Sequence, residues 1–353
     1  MYQMAEQLLS LSNEAAAYAR HSKIVFVNSA AERVLGCDCV GRSVRSALGP
    51  DVAGPQSASF VADVPIGSGR YAVRVAPVGD GQAFFLTPTN IEPPALNEDM
   101  ISAMRDLLMS INVSCSVGRA RAEQLGDEEL SDCFTGATRA YYRLARILAN
   151  VSILEGLAVA SFPFQPDEVD LSELCRGIVE SLQEIFGGVE IRMNIPHDVF
   201  ISGDRTLIQE AVMNLLSNCL THASGLSRIS LNLLDCSDRA VLSVTDDGCG
   251  MPQSAVNSLF ERPAGTDGAI RISRGANTGL RLVRAVAEQH HGSVLIESRP
   301  DYGTTVRMSL AKGILPIHVF REPAESYKPS RTLLYTGLAD CLPLELFKNT
   351  FQD

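Results

Sequence analysis

The chain has 353 residues, which at roughly 100–200 residues per domain makes room for two or three domains. It is 46% hydrophobic and 20% charged, a globular composition that excludes general disorder. Thirty basic against forty-one acidic residues leave a net charge of −11, a field that repels nucleic-acid backbones and anionic lipids, so no nucleic-acid partner is expected.

No run of roughly eighteen apolar residues occurs, so no membrane insertion is expected. The first twenty residues carry Glu6 and Glu14 and lack a basic stretch leading into an apolar one, so no signal peptide is expected there. The nine cysteines are scattered, with only Cys37 and Cys39 close together and no CxxC pair. That spacing argues against a disulfide framework or a zinc site and fits a reduced, cytoplasmic protein.

In chain order, Lys23–Asn28 reads as a strand, and Ser29–Leu35 as a short helix capped by Asn28 or Ser29 and stopped by Gly36. Ser57–Pro65 and Arg70–Val78 read as a strand pair joined at Ile66-Gly67-Ser68-Gly69, and Gln82–Thr87 as a further strand. Residues 1–90 thus predict a small antiparallel sheet with short helices, an α+β unit. Pro88-Thr89-Asn90-Ile91-Glu92-Pro93-Pro94 reads as a linker. Residues 97–160 turn helical: Met104, Leu107, Leu108 and Ile111 recur at spacings of three and four, as do Tyr142, Ala145, Leu148, Ala149, Ile153 and Leu157. Gly126-Asp127 separates two helices. Such a hairpin cannot bury both apolar faces alone. It either dimerises into a four-helix bundle or packs against flanking domains.

After a second linker, Phe162-Pro163-Phe164-Gln165-Pro166, residues 165–312 alternate helix and strand. Helices are predicted at Leu171–Phe186, Arg205–His222 and Asn277–His291. Strands are predicted at Val189–Ile195, Val199–Gly203, Ser227–Asp235, Arg239–Asp246, Gly292–Arg299 and Thr304–Ala311. That order suggests a two-layer α/β sandwich. For the tail, 313–353, the weak periodicity supports no assignment.

Three clusters carry chemistry. Asn214 and Asn218 stand four apart on one helix, so they share a face. Their amide oxygens suit a magnesium ion that also keeps phosphate oxygens, or they are a polar stripe. Asp246-Asp247-Gly248-Cys249-Gly250 ends a strand. An Asp there can accept from an exocyclic amine while glycines let a flat base approach, or the segment is a tight Asp-Gly turn. Gly275-Ala276-Asn277-Thr278-Gly279-Leu280 opens a helix, where unpaired N–H groups face an anion.

Together, in this order and spacing, residues 165–312 resemble the ATP-binding domain of sensor histidine kinases, within the wider gyrase, Hsp90, kinase and MutL ATPase superfamily. Asn214–Asn218 resembles the N box, Asp246–Gly250 the D-x-G-x-G box and Leu259-Phe260-Glu261 the F box. Thr278-Gly279-Leu280 with Leu282-Val283 resembles the second glycine box, His291-Gly292-Ser293 the helix end after it, and Gly303-Thr304-Thr305 the final strand. Asp170-Leu171 and Gly203-Asp204 also fit. The resemblance implies ATP and Mg²⁺ as cofactors. Asn218 would ligate the metal with Asn214 assisting, and Asp246 would accept from the adenine amine. Gly248 and Gly250 would admit the base, Gly279 would hold phosphate, and Thr278, Leu280 and Thr304 complete the implied cofactor-binding set. Residues 262–277 would form a lid, in which Arg271 or Arg274 reaches the γ-phosphate or is a solvated charge. The superfamily's hydrolases place a Glu four residues before the metal Asn; Asn214 stands there, as in the kinases.

Ile24–Gly36 with Val40-Gly41 resembles a PAS sensor domain, and the hairpin occupies the place of the family's dimerisation and phosphotransfer domain. The family carries a phosphoacceptor His there, followed by an acidic residue and later a Pro. The corresponding stretch, Met109–Gly118, contains no His. The six histidines are His21, His197, His222, His290, His291 and His318, all outside the hairpin. His222 reads as a helix-end residue. Thr221 replaces the N-box Lys, and Asn277 and Arg281 replace two glycines of the second glycine box. The implied protein is an ATP-binding sensor histidine kinase homologue in two-component signalling, without autophosphorylation on the usual hairpin His. The alternative is a catalytically inactive dimeric regulator or scaffold controlled by its PAS domain and nucleotide state. Its expected partners are itself, as a homodimer, and a response regulator or another kinase.

Overall fold

The computed structural model describes residues 9, 14–36, 39–49, 52, 59–67, 69–88, 98–158, 162–185, 189–259, 278–313 and 327–349. They fall into two compact units. The first comprises residues 1–91, 223–266 and 287–311, and the second residues 92–222, 267–286 and 312–353. Of the expected features, the linker 89–94, the Phe260-Glu261 part of the F box, the lid, Gly275–Asn277 and His318 lie outside the described residues.

The first unit opens with β1 (Ala15–Arg20) and β2 (Lys23–Val27), joined through His21 and Ser22 at φ 49° and 60°. Helix α1 (Ser29–Leu35) follows, and Asn28 is its cap. The Asn28 Oδ1 accepts from Ala31 N at 2.9 Å and from Ala16 N at 3.0 Å, tying the helix start to β1. Helix α2 (Val44–Leu48) is capped by Ser43. Strands β3 (Phe60–Ile66), β4 (Gly69–Val78) and β5 (Gly81–Pro88) form an antiparallel meander that continues onto β1. Phe60, Phe84, Ile24 and Leu48 are buried between this sheet and its helices. Strand β1 was not anticipated, because Ala-Ala-Ala-Tyr-Ala-Arg has no β-branched residue. Its pairing on both sides, with β2 and β5, overrides that local preference. The helix expected at Ser29–Leu35 is present, and the strand expected from Ser57 begins at Phe60 among the described residues.

The unit continues with strands β9 (Arg228–Asp235) and β10 (Arg239–Asp246), helix α7 (Gln253–Ser258), and strands β11 (Val294–Arg299) and β12 (Gly303–Ala311). Strand β10 is paired on both sides, with β9 and β12, along its full length. Strand β11 pairs with β12 on one edge. On the other it pairs with β3, in the register Val294↔Asp63, Leu295↔Ala62 and Ile296↔Val61. The strands therefore run β2-β1-β5-β4-β3-β11-β12-β10-β9. Beside this seam the fully buried Asp63 is bridged by Arg70 at 2.8 Å, and Arg70 also reaches Glu288 at 2.6 Å.

The second unit contains the hairpin of α3 (Glu98–Leu125) and α4 (Glu128–Ala158). Gly126, at φ 68°, ends the first helix, and the Asp127 carboxylate accepts from Leu130 N to start the second. Then come β6 (Asp167–Asp170), α5 (Leu171–Ile185), β7 (Glu190–Asn194), β8 (Phe200–Gly203) and α6 (Arg205–His222), with β6 and β8 paired. Helix α8 (Thr278–Gln289), whose residues 287–289 are counted with the first unit, and a C-terminal segment follow. That segment, for which the sequence supported no assignment, forms α9 (Arg331–Gly337) and a 3₁₀ helix (Leu344–Asn349) against α4 and α6. No described helix is long and apolar enough to cross a membrane.

Candidate functional site

Asp246 closes β10, opposite Thr304 on β12 and Ile229 on β9. It is buried, and its Oδ1 accepts from Gly248 N at 3.1 Å and Thr304 N at 3.3 Å. Those two amides fix the carboxylate. Thr304 Oγ1 in turn meets Ser298 Oγ at 2.8 Å. The neighbouring Asp247 turns the other way. It accepts from Ser227 Oγ at 2.5 Å and from the Ser227 and Arg228 amides at 2.9 Å each. The Ser227 hydroxyl above all, helped by these amides and the Arg228 charge, pulls its pKa down to about 2.

The glycines after this pair have a reason inside the protein itself. Gly250 has φ +60°, and a Cβ there would stand 2.0 Å from Arg299 O. A Cβ on Gly248 would stand 2.4 Å from that of Ala223. Close packing within the unit thus favours glycine at both positions, independently of the base approach expected from sequence.

In the second unit, α6 carries the two asparagines. Asn214 is 1% exposed, and its amide is fully committed. Its Oδ1 accepts from Arg146 Nη2 at 3.0 Å and Asn150 Nδ2 at 3.1 Å. Its Nδ2 donates to Asn150 Oδ1 at 3.2 Å and Glu210 O at 2.9 Å. Asn218, one turn on, is half-buried and makes no side-chain hydrogen bond among the described residues. Thr278, Gly279 and Leu280 open α8, with Gly279 and Leu280 buried. A Cβ on Gly279 would stand 2.6 Å from Asn214 Oδ1, so this helix start is seated against the N-box asparagine. Arg281 follows; burial first, then the Arg284 charge, lower its pKa. A cation in that setting gains from any anion that approaches.

The structure therefore gathers Asn214, Asn218, Thr278, Gly279 and Leu280 in one unit, and Asp246, Gly248, Gly250 and Thr304 in the other. Taken each within its own unit, the half-buried Asn218 amide is a neutral oxygen donor with spare hydrogen-bonding capacity, and the Asp246 carboxylate is a fixed, buried acceptor. Among the described residues no group of three His, Cys, Asp or Glu could hold a metal by itself, so a metal here would draw further ligands from phosphate and water.

Arg146, Asn150 and Asp340 were missed from sequence. Arg146 Nη1 donates to Ser217 Oγ at 2.7 Å and to Asp340 Oδ2 at 2.9 Å. Burial lowers the Arg146 pKa, opposed chiefly by the Asp340 charge, and burial raises that of Glu210 against the pull of Arg146. The signal available was the polar pair Arg146 and Asn150, spaced by four and so on one face of the helix.

Residues 203–314 match the family described as histidine kinase-, DNA gyrase B-, and HSP90-like ATPase. The chain is 30% identical over 149 residues to the sensor histidine kinase YxdK of Bacillus subtilis, covering 41% of this chain and 46% of that protein. It is 30% identical over 142 residues to the sensor-like histidine kinase SenX3 of Mycobacterium tuberculosis, covering 40% of this chain and 35% of that protein. The chain thus spans less than half the length of these curated relatives. The histidine kinase ThkA, solved in complex with the response regulator TrrA, is similar over 87% of this chain and 98% of its own, at 17% identity and TM-score 0.40. Residues 203–314 thus belong to the histidine kinase-, DNA gyrase B-, and HSP90-like ATPase family, and these curated relatives are sensor histidine kinases.

Proposed function

We propose that the protein binds Mg²⁺–ATP and acts in two-component signal transduction as a histidine kinase homologue that does not autophosphorylate on a hairpin histidine. The observation that carries the binding half is the fixed, buried Asp246 at the end of β10, with two backbone amides on its Oδ1. In this reading Asp246 accepts from the adenine amine, Gly248 and Gly250 shape the floor beneath the base, and Thr304 holds Asp246 in place. Asn218 ligates the metal. Thr278, Gly279 and Leu280 present the N-terminus of α8 to phosphate, and Arg281 adds positive charge. Mg²⁺, when bound, would neutralise phosphate charge. Asn214, expected to assist Asn218, also supports α8 and α6 from within.

The phosphotransfer half rests on the hairpin. Residues 98–158 contain no imidazole, so the nitrogen nucleophile of the family is absent from both helices. That observation favours a second reading alongside the first: a dimeric regulator whose N-terminal domain and nucleotide state control a partner, such as a response regulator or another kinase. Residues 1–90 would be its PAS-like sensor, 97–160 its dimerisation hairpin and 165–312 its ATP domain, in the cytoplasm. The stripe Met100, Met104, Leu107 and Ile111 on α3 is exposed at spacings of four, three and four, and a second copy would cover it as a four-helix bundle.

Titration calorimetry with Mg²⁺–ATP should give binding that Asn218→Ala and Asp246→Asn each weaken by about tenfold or more, the loss of one charge-assisted or metal contact. No binding by folded wild-type protein would overturn the nucleotide reading. Incubation with γ-labelled ATP then separates the two mechanisms. Acid-labile label means a histidine elsewhere is used. Acid-stable label lost in Asn218→Ala means a Ser or Thr acceptor. Absence of label favours the regulator.

A further inference from the structure

The C-terminal segment is built into the second unit more deeply than a tail needs to be. Leu334, Leu338, Ala339, Leu342 and Phe347 are buried, the last completely. Tyr335 and Phe347 close an aromatic trio with Tyr142 of α4, at ring separations of 5.8 and 5.7 Å from it. On the other side Gly337 lies on Met213 of α6, where a Cβ would come within 2.5 Å of Met213 Cε. The segment therefore touches both the hairpin helix and the N-box helix.

Between these apolar contacts sits one carboxylate. Asp340 accepts from Arg143 Nε at 2.5 Å and from Arg146 Nη1 at 2.9 Å. Arg146 is the buried group, and it also donates to Ser217 Oγ and Asn214 Oδ1 of α6. A buried guanidinium needs its counter-charge close by, because an unpaired charge in such a place is strongly unfavourable. Here the carboxylate in hydrogen-bond contact with it comes from the C-terminal segment, while α6 supplies two neutral acceptors and the more distant attraction of Glu210, whose charge burial disfavours. The joint between α4 and α6 thus takes its direct ion pair from a third element.

We propose that residues 327–349 are an intramolecular latch. Docked, Asp340 lets Arg146 sit on Asn214 and Ser217, and so clamps the hairpin helix to the helix that carries the nucleotide asparagines. Released, it uncouples the two helices and frees the Asn214 amide to face nucleotide. The regulatory consequence rests on the proposed nucleotide site; the clamp itself does not.

Hydrogen exchange on the full chain tests the clamp without nucleotide. Asp340→Asn removes the charge, and Phe347→Ala loosens the far end without stranding a charge. Both should speed exchange in 331–349 and, together with it, in 205–222. Faster exchange in 331–349 with 205–222 unchanged in both variants would overturn the latch, as would no change anywhere. Trinitrophenyl-ATP with Mg²⁺ tests the consequence. Released variants should bind it about fivefold more tightly or better, the lower end of ordinary coupling between sites. Coupled exchange with unchanged affinity would overturn regulation by the latch. If neither wild type nor variants bind the probe, the nucleotide reading fails, and exchange still decides the clamp.

Discussion

Asp246 and Asp247 are adjacent in sequence and opposite in employment. Asp246 faces inward on two amides, whereas Asp247 ties the start of β9 to the end of β10 through Ser227 and Arg228. Folding lowers the Asp247 pKa from 3.8 to about 2. A depressed carboxylate contributes stability that is complete above its unfolded pKa and lost as pH falls through the folded one. The Asp247 contribution should therefore be full above pH 3.8 and fade toward pH 2. Thermal unfolding across that window should show a steeper acid loss for wild type than for Asp247→Asn, and parallel curves would refute the assignment. The Asp-x-Gly-x-Gly spacing singled out Asp246 as a candidate in the sequence. The division of labour between the two acids was not legible, because it depends on Ser227, twenty residues upstream. Asn214 shows the same limit. Its place on α6 followed from spacing, but its partners Arg146 and Asn150 lie on another helix.

At the scale of elements, those with strong periodicity or caps were readable. The hairpin, its Gly126-Asp127 break, α6 and the β9–β10 pair fall where the pattern put them. The misses are short elements whose stability comes from neighbours. Strand β1 is made by its two partner strands, and α9 by the aromatic trio and the Asp340 bridges. Local sequence carries little of either. The loop from β10 to α7 depends on one position. Gly250→Ala puts a Cβ 2.0 Å from Arg299 O at positive φ, so the loop must move. The variant should lose on the order of 2 kcal/mol in urea unfolding, and a loss below a few tenths would show that the loop yields freely.

At the scale of the whole molecule, the two helices of the hairpin differ in their cover. The C-terminal segment covers one stretch of α4, and α3 keeps its apolar stripe outward. Leu107→Glu with Ile111→Glu should convert the proposed homodimer into a monomer in light scattering while leaving the far-ultraviolet circular dichroism intact. An unchanged mass would place self-association elsewhere.

Strand β3 lies on the outer edge of β11 through three consecutive residue pairs, with the Arg70 bridges to Asp63 and Glu288 beside them. Replacing the first ninety-one residues with a foreign domain would strip that cover and leave bare amide and carbonyl groups along the edge of β11. Such a chimera would invite other chains to pair there and would aggregate. This protein is therefore a poor subject for module shuffling, and any graft that stays soluble must bring its own strand to occupy β11.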